Sequence, residues 1–532
     1  MCLQKWVKEY TSRKLEMDMK DENIVEKLAD LFFEIAALYP NKTAIWCDNK
    51  TITYKALANL ISQYSNYLLE NKVAYRDHIA IPMNNSIESV ALILTAANLG
   101  VGLVPINPTL PLEAIKTAFA CGNVKHLIAR RAFFEQCDKS DGLNFYGIKF
   151  CLDGEYDCTL PFADAMKMPI ERPIIEEVSG DETLIVTMTS GSTGLPKPID
   201  LTQNNKYQRA MAHINLYNIT KDDNVLAATP LYHSLAERLV LIPLLIGGTS
   251  VLLPRFTANI WLNCVKNLQV TFTIAVSAQL SQIAELLSSP FIPEIDSLRC
   301  IVSSSALLEP HIKNELIEKL KCDFHEMYGT SEISTATNIN LKESLNQKKS
   351  VGRPLPEVDI RIIKDNGELA PIHEIGEIAC KTNLMCNGYY GLPEVFNKAL
   401  QDGYFKTGDL GYIDENGFLF FSGRKKELII TGGINVYPSD VEKCVLKLPE
   451  VSECAAFAYP DERLGEVVAL AVVTKQDCTL NKRAIQIQCA RNLADFQQPH
   501  KIFFVDELPK NAMGKLVKFK LMEYARLHCL NE

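Results

Sequence analysis

Several features that place a chain in a special class are missing from this sequence. Its longest apolar run, Leu239 to Leu253, is too short to span a bilayer and contains Pro243 and two glycines, so it predicts a buried helix, a turn and a strand. Residues Met1 to Asp21 mix charges and lack the apolar centre of a signal peptide. Positive charge is not in excess either, since the net charge is −9. This balance argues against broad binding of nucleic acid through its phosphates.

The cysteines also lack a pattern. The chain has 16 of them, but no C-x-x-C pair and no Cys/His spacing typical of a metal site. Disulfide frameworks belong to small secreted domains, so scattered cysteines in a long chain favour buried thiols in a reducing compartment. We therefore expect a cytoplasmic protein without a transmembrane segment.

What is present is the composition of an ordinary globular protein, with 532 residues, 47% hydrophobic and 22% charged. Helical and strand patterns alternate along most of the chain, which favours layered α/β subdomains with parallel sheets. We predict helices at 85–99 and 309–321, and buried strands at 269–276 and 299–303.

The pattern changes after about residue 350, where short alternating strands and Asn-Gly turns predict a small β-rich subdomain up to 421. The charged segment Ser422 to Glu427 is the best candidate for a linker. The predicted organisation is a large N-terminal domain over 1–422, a hinge over 423–427 and a small mobile α+β domain over 428–532.

One nine-residue stretch, Thr189 to Lys197, combines hydroxyls, glycines and a cation directly after an apolar strand. Glycine lets backbone N–H groups point into a concavity, hydroxyls add donors and lysine adds positive charge, which together suit a polyphosphate. The spacing is not that of a P-loop, because Pro198 follows the lysine where serine or threonine would be required. A plain surface turn remains an equally good interpretation of this stretch alone.

Three further segments carry residues suited to a nucleotide. Tyr328 to Glu332 offers an aromatic ring, hydroxyls and a carboxylate that could hold Mg²⁺, although a capped turn is the simpler interpretation. Tyr404 to Asp409 places an acid after a glycine turn, where it could accept both hydroxyls of a ribose. Pro509 to Lys515 ends in a lysine that could equally be an exposed surface residue.

Taken in order, these segments resemble the adenylate-forming superfamily of acyl-CoA synthetases, 4-coumarate–CoA ligases, luciferases and peptide-synthetase adenylation domains. The resemblance runs from about residue 28 to 520. Besides the segments above, it is carried by Pro230 to His233, Gly423-Arg424 and Gly432 to Pro438.

The resemblance implies a role for each matching residue. Tyr328 would stack on adenine, Ser331 would contact the α-phosphate and Glu332 would bind Mg²⁺. Asp409 would bind the ribose, with Arg424 nearby. The β- and γ-phosphates would be held by Thr189, Ser190, Gly191, Ser192, Thr193, Gly194 and Lys197.

Other matching residues would act on the acid and on a thiol. Lys515 would be catalytic, as an ammonium between the carboxylate and the α-phosphate. Lys426 would be the hinge about which the C-terminal domain swings. The acid would contact His233, Ser304, Ser305 and Thr330. The pantetheine arm would contact Gly432, Gly433, Asn435 and Tyr437.

The implied reaction uses ATP, Mg²⁺ and a carboxylic acid to form an acyl-adenylate, which the thiol of CoA then converts to a thioester. The stretch Gly432 to Pro438 looks more like acid–CoA ligases than peptide-synthetase domains. A stand-alone enzyme that loads the phosphopantetheine of a carrier protein is the alternative, and a non-catalytic nucleotide-binding regulator is a third. Pro198, Ala236 and Ser303 to Ala306 depart from common family residues, and they leave the identity of the acid open.

Overall fold

The computed structural model describes residues 27–139, 142–143, 145–189, 196–289, 295–308, 310–475, 478–510 and 516–529. The chain forms two compact units. The first comprises Met1–Arg255, Val270–Phe272 and Cys386–Pro393, and the second comprises Phe256–Gln269, Thr273–Met385 and Glu394–Glu532. Within the described ranges, no helix has both the length and the apolar character needed to cross a membrane.

Strands and helices alternate along the first half of the chain. The helices are α1 (Leu28–Leu38), α2 (Tyr54–Glu70), α3 (Ile87–Leu99), α4 (Leu112–Cys121), α5 (Arg131–Asp138), α6 (Gln203–Leu216) and α7 (Ser234–Leu244), with a 3₁₀ helix at Phe162–Lys167. The strands are β1 (Thr43–Cys47), β2 (Lys50–Thr53), β3 (His78–Pro82), β4 (Gly102–Ile106), β5 (His126–Ala129), β6 (Ile148–Cys151), β7 (Leu160–Pro161), β8 (Thr183–Thr189), β9 (Lys197–Thr202), β10 (Asn224–Ala227) and β11 (Thr249–Leu252).

The second half is richer in strands. Its helices are α8 (Ala258–Asn267), α9 (Ser277–Leu287), α10 (Pro310–Lys319), α11 (Pro393–Ala399), α12 (Pro438–Val445), α13 (Lys482–Asn492) and α14 (Lys518–Cys529), with 3₁₀ helices at Leu345–Gln347, Lys425–Glu427 and Asp495–Gln497. Its strands are β12 (Phe272–Val276), β13 (Cys300–Ser304), β14 (Asp323–Thr330), β15 (Ser334–Asn340), β16 (Arg353–Pro354), β17 (Val358–Ile363), β18 (Gly376–Thr382), β19 (Gly388–Tyr389), β20 (Leu400–Gln401), β21 (Tyr404–Ile413), β22 (Leu419–Arg424), β23 (Ile429–Thr431), β24 (Ile434–Val436), β25 (Val451–Asp461), β26 (Gly465–Thr474) and β27 (Lys501–Phe504).

The first unit is built on a sheet with the strand order β19-β9-β8-β4-β3-β5-β6-β7. Strands β3 to β8 pair in parallel, whereas β9 and β19 add an antiparallel edge. Parallel sheets are normally covered on both faces, and accordingly every residue of β4 is buried. A second set of strands in the same unit has the order β10-β11-β1-β2.

Two helices of the first unit show why these residues form these elements. The Ser86 hydroxyl accepts the N–H of Ser89 at the start of α3, and Gly100 ends that helix at a φ of 63°. Thr202 and Asn205 form a reciprocal capping box at the start of α6. Because β9 ends at Thr202, this box fixes the direction in which α6 leaves the sheet.

The second unit contains three groups of strands. The order β16-β15-β14-β13-β12 runs through the first group, and β17-β18-β21-β20 with β22 forms the second. The third, β24-β23-β26-β25 with β27, lies at the C-terminal end of the chain. Alternate residues of β26 enter two separate cores, Leu470 facing α12 and α13, and Ala471 facing α14. This alternation is the two-residue period of a strand covered on both faces.

These elements confirm the predicted mixed α/β fold with a smaller C-terminal domain. The helix predicted at 85–99 and the strands of the β-rich subdomain are present, whereas the strand predicted from 269 begins only at Phe272. Gln269 has a φ of 48°, which an extended strand does not accommodate. In the predicted linker, residues 422–424 continue strand β22 and Lys425–Glu427 is a 3₁₀ helix. The boundary of the C-terminal domain at this segment stays a prediction.

Candidate active site

The loop predicted to bind phosphate connects two antiparallel strands of the first unit. Thr189 at the end of β8 lies opposite Lys197 at the start of β9, so the two ends of the loop meet. The Thr189 hydroxyl donates to the carbonyl of Lys197 at 3.4 Å, and the Lys197 ammonium lies 5.0 Å from the centre of the Tyr389 ring. The predicted ligands Ser190, Gly191, Ser192, Thr193 and Gly194 lie outside the described residues.

His233 occupies the N-cap position of α7 in the same unit. Its carbonyl accepts the N–H groups of Ala236 and Glu237, and its ring lies 4.6 Å from that of Tyr232. The backbone of this histidine is therefore held by the helix start. Its predicted contact with the acid stays a prediction.

Directly after His233, the first unit holds a group of buried charges that the sequence analysis missed. Lys206 of α6 and Glu237 of α7 form an ion pair with both side chains almost fully buried. Burial lowers the pKa of Lys206 to about 8, although Glu237 opposes that shift. Beside this pair, Arg238 contacts the ring of His213 at 3.3 Å. No local sequence signal marked this pair, because charged residues are expected at the surface.

In the second unit, Asp409 is the centre of a compact polar network. The hydroxyl of Tyr328 donates to Asp409 Oδ2 at 2.9 Å, and Arg424 Nε lies 3.2 Å from Asp409 Oδ1. The two strands β21 and β22 create this pairing, since Asp409 and Arg424 are register partners. Burial, and then the Asp409 charge, raises the pKa of Tyr328 well above its usual value, so the phenol stays a donor. The structure thus joins Tyr328 to Asp409 and Arg424, two residues that the resemblance had already placed near each other.

Thr330 ends β14, and the turn that leads to β15 carries Ser331 and Glu332. Gly329 is required there, because a Cβ at this position would lie 1.8 Å from the carbonyl oxygen of Ser334. The Thr330 hydroxyl oxygen is buried and has no hydrogen-bond partner among the described residues. A hydroxyl and a carboxylate on one turn are hard oxygen donors of the kind that Mg²⁺ prefers, so the residues present fit this ion.

The serines predicted to contact the acid lie at the end of β13. Ser304 is the last residue of the strand, and Ser305 has a φ of 81°. This is the left-handed region that favours glycine, so the serine strains the backbone here. The hydroxyl of Ser277 donates to the carbonyl of Ala306 at 2.5 Å and holds the following turn.

Two elements of the C-terminal region carry the remaining predicted residues. Gly432 and Gly433 form the turn of the β23–β24 hairpin with φ angles of 56° and 83°, which suit glycine. Asn435 is exposed on β24, and Tyr437 precedes α12. Lys515 lies outside the described residues; on either side of it, Lys510 and Leu516 form an antiparallel bridge.

One carboxylate near Asp409 was also missed. Glu377 of β18 accepts the N–H of Gly408 at 3.2 Å with one oxygen, and its other oxygen lies 3.1 Å from the ammonium of Lys425. Lys425 also pairs with Asp365 at 2.9 Å. No local sequence signal marked Glu377, because a glutamate in a strand of a β-rich region is expected to face solvent.

Comparison with known proteins assigns the chain to a family. The model of the AMP-binding enzyme family matches residues 32–390, and that of the AMP-binding enzyme C-terminal domain matches residues 440–515. Indoleacetate–CoA ligase of Aromatoleum aromaticum is 30% identical, over 91% of this chain and 95% of that protein. 2-Succinylbenzoate–CoA ligase of Bacillus mycoides is 29% identical, over 93% of this chain and 98% of that protein.

Solved structures agree over a similar length. o-Succinylbenzoate CoA synthetase from Bacillus subtilis, in complex with its acyl-adenylate intermediate, matches with a TM-score of 0.82 at 27% identity and covers 94% of this chain and 98% of its own. ATP-bound MatB from Rhodopseudomonas palustris matches with a TM-score of 0.83 at 27% identity, over 93% and 98% of the two chains. This chain belongs to the AMP-binding enzyme family.

Proposed function

We propose that this protein is an ATP-dependent acid–CoA ligase. The observation that carries the proposal is its likeness, over nearly the full length of both chains, to a synthetase whose structure holds an acyl-adenylate. The CoA ligases among its relatives extend over the same length. The network around Asp409 supports it independently, because an oriented carboxylate can accept both hydroxyls of a ribose.

In the first step, an oxygen of the acid attacks the α-phosphorus of ATP and pyrophosphate leaves. The attack brings two anions together, so it needs positive charge at the point where they meet. We assign that role to Lys515, and binding of the β- and γ-phosphates to the loop between Thr189 and Lys197. Mg²⁺ held by Glu332 would offset charge on the phosphates.

The nucleoside is assigned to the second unit. Asp409 would accept the ribose hydroxyls, while Tyr328 and Arg424 keep its carboxylate oriented. Tyr328 would also present its ring to adenine, and Ser331 would contact the α-phosphate. An oriented, already partnered carboxylate loses little freedom when it binds, which favours affinity.

In the second step, the sulfur of CoA attacks the acyl carbonyl carbon, the bond to the phosphate oxygen breaks and AMP leaves. We assign contact with the pantetheine arm to the hairpin that carries Gly432, Gly433 and Asn435, and to Tyr437. Lys426 would be the pivot between the two steps.

The acid itself is proposed to be an acyl or aryl acid that carries no ammonium group. Both named relatives act on acids that contain an aromatic ring, which favours an aryl acid. His233, Ser304, Ser305 and Thr330 are the residues proposed to contact it. They supply hydroxyls and a ring but no carboxylate, so nothing in this set would pair with the ammonium group of an amino acid.

The test is release of pyrophosphate with ATP and a panel of acids: indoleacetate, 2-succinylbenzoate, aliphatic acids of several lengths and amino acids. Each acid that is activated is then offered CoA or a phosphopantetheinylated carrier protein. Thioester formation on CoA with an aryl or acyl acid supports the proposal. Thioester formed only on the carrier, or no pyrophosphate with any acid while ATP still binds, would contradict it.

A further inference from the structure

Glu377 stands out because its two carboxylate oxygens serve two different segments. One oxygen accepts the N–H of Gly408, at the turn that leads directly to Asp409. The side chain is only 13% exposed, so this bond is largely shielded from water. The same turn is held from its other side by Thr407, whose hydroxyl donates to the carbonyl of Ile378 at 2.8 Å. The turn that presents Asp409 is therefore anchored on β18 at both neighbouring positions.

The second oxygen of Glu377 reaches the segment that follows β22. It lies 3.1 Å from the ammonium of Lys425, which also pairs with Asp365 at 2.9 Å. Hydrogen bonding to Asp365, and then to Glu377, raises the pKa of Lys425. A lysine held by two acids from separate strands or turns has far less freedom than an ordinary surface lysine.

The ion pair between Glu377 and Lys425 lies directly before the proposed pivot in the chain. Lys425 lies between Arg424, which pairs with Asp409, and Lys426, the proposed pivot. A rotation confined to one residue requires that the residue before it stays in place. Arg424 and Lys425 are each paired with an acid of the β-rich strands, so the chain is held in place up to the proposed pivot.

We propose that Glu377 is a positioning residue for both steps of the reaction. With one oxygen it holds the Gly408 turn so that Asp409 meets the ribose, and with the other it holds Lys425, the fixed side of the pivot. This inference rests on the proposed function, and it adds a residue that links nucleotide binding to the swing of the C-terminal domain.

Four variants separate the two contacts. Glu377→Ala removes both, whereas Glu377→Gln keeps an oxygen for Gly408 and loses the charge that holds Lys425. Lys425→Met removes only the cation, and Lys425→Arg restores it. Lys364→Met is the matched control, because Lys364 forms a half-exposed ion pair in the same subdomain, 3.3 Å apart, with Glu368 and not with Glu377 or Lys425.

Three measurements are made on the full-length protein: calorimetric titration with ATP and Mg²⁺ in the absence of acid, the rate of pyrophosphate release, and single-turnover conversion of the bound acyl-adenylate to thioester. We expect Glu377→Ala to weaken ATP binding roughly 3–10-fold, the size of one lost hydrogen bond. We expect Glu377→Gln and Lys425→Met to bind ATP within about twofold of the wild type but to form thioester roughly 2–5-fold more slowly. Lys425→Arg should recover the wild-type rate.

Salt gives an independent readout. Because Lys425 and Asp365 are partly exposed, about 0.5 M salt should slow thioester formation by the wild type and leave Lys425→Met unchanged. ATP affinity of Glu377→Ala equal to that of the wild type, or a thioester rate of Lys425→Met equal to that of Lys364→Met, would overturn the inference. If Glu377→Ala does not fold, the glutamine and Lys425 variants carry the test. A wild type that binds ATP but releases no pyrophosphate would instead overturn the proposed function, and the ATP titration would still test the Gly408 contact.

Discussion

Two groups of charged side chains hold carboxylates in this protein, and they do so in opposite settings. The buried helix cluster of the first unit consists of Lys206, Arg209, His213, Glu237 and Arg238. All five are buried, and the ion pair at its centre joins α6 to α7. The carboxylate network of the second unit consists of Tyr328, Glu377, Asp409, Arg424 and Lys425. There, Asp409 is buried and Glu377 is largely shielded, but Arg424 and Lys425 are about two-fifths exposed.

The difference separates a structural role from a binding role. A buried pair has already lost its water, so removing one partner leaves an uncompensated charge that destabilises the fold. A half-exposed network can exchange one of its contacts for a ligand at little cost to folding. We therefore expect substitutions in the buried helix cluster to act on stability, and substitutions in the carboxylate network to act on the reaction.

The largest expected effect tests the first half of this comparison. Glu237→Gln leaves the ammonium of Lys206 buried without its counter-charge, and we expect a loss of about 3–5 kcal/mol in the free energy of unfolding. Urea unfolding, together with hydrogen exchange of α6 and α7, measures it.

The control is Glu113→Gln, which breaks an exposed pair with Lys116 in the same unit and should cost less than about 1 kcal/mol. The double variant Lys206→Met with Glu237→Leu removes both charges and should recover most of the loss. Equal stabilities of Glu237→Gln and Glu113→Gln would show that the buried pair contributes no more to the free energy of unfolding than an exposed pair does.

The next effect tests the second half of the comparison, in which a charged side chain acts on the reaction and not on folding. Lys515→Ala removes the proposed catalytic ammonium, and we expect acyl-adenylate formation to slow by about 10²–10³. ATP affinity and the unfolding midpoint should stay close to those of the wild type. Pyrophosphate release in a single turnover, together with an ATP titration, separates rate from binding.

Asp409→Asn is the companion variant, because its main effect should be on ATP affinity. An adenylation rate of Lys515→Ala equal to that of the wild type would remove Lys515 from the mechanism, whatever Asp409→Asn does.

Much of the fold could be predicted because local patterns agree with tertiary structure in most elements. The apolar helix at 87–99 is bounded by Ser86 and Gly100, both strong end signals. The hairpin around Gly417 follows from a turn motif between alternating strands. The start of the strand predicted from residue 269 was wrong, because no local sequence pattern predicts a left-handed conformation for Gln269.

The residues of the candidate site could be predicted from the sequence, but the hydrogen bonds and ion pairs between them could not. Tyr328 and Asp409 stood out through their motifs, yet the hydrogen bond between them depends on how two sheets pack, which no local pattern encodes. Glu377 and Lys206 were not identified from the sequence for another reason. Charged residues are expected at the surface, and only the structure shows which of them are buried and paired.

A pH effect sharpens the comparison, because it should arise in the buried helix cluster. Burial, and then the charge of Arg238, lowers the pKa of His213 to about 3. Its Nδ1–H donates to the carbonyl of Arg209 at 2.9 Å, and Arg238 donates to Nε2 at 3.3 Å, so the ring has no room for a second proton. The Tyr217 ring, 5.7 Å away, adds no charge.

The sign follows from the two pKa values. Above about pH 6.5 His213 is neutral in both the folded and the unfolded chain, and stability is unaffected. As the pH falls below 6.5 only the unfolded chain gains the proton, so the folded state should lose roughly 2 kcal/mol between pH 8 and pH 5. His213→Gln keeps a donor and an acceptor without titrating, and it should lessen this dependence in urea unfolding. His373→Gln, at an exposed histidine, should not. Parallel pH profiles for His213→Gln and the wild type would contradict the assignment.

The smallest expected effect lies at Ser305, where the backbone of the second unit is strained. Glycine adopts a φ of 81° without the steric cost that serine has, so Ser305→Gly should stabilise the protein by about 0.5–1 kcal/mol. Ser304→Gly, one residue earlier and at the end of strand β13, should instead destabilise it by a similar amount. Removal of the Ser305 side chain should also widen the space offered to the acid and raise kcat/KM for bulkier acids relative to smaller ones.

Ser305→Ala is the control. It keeps both the strain and most of the bulk, so it should match the wild type in stability and in acid preference. If Ser305→Ala shifts the preference as far as Ser305→Gly does, the hydroxyl and not the backbone governs the choice of acid, and Ser305 would belong with the groups that act through a polar contact.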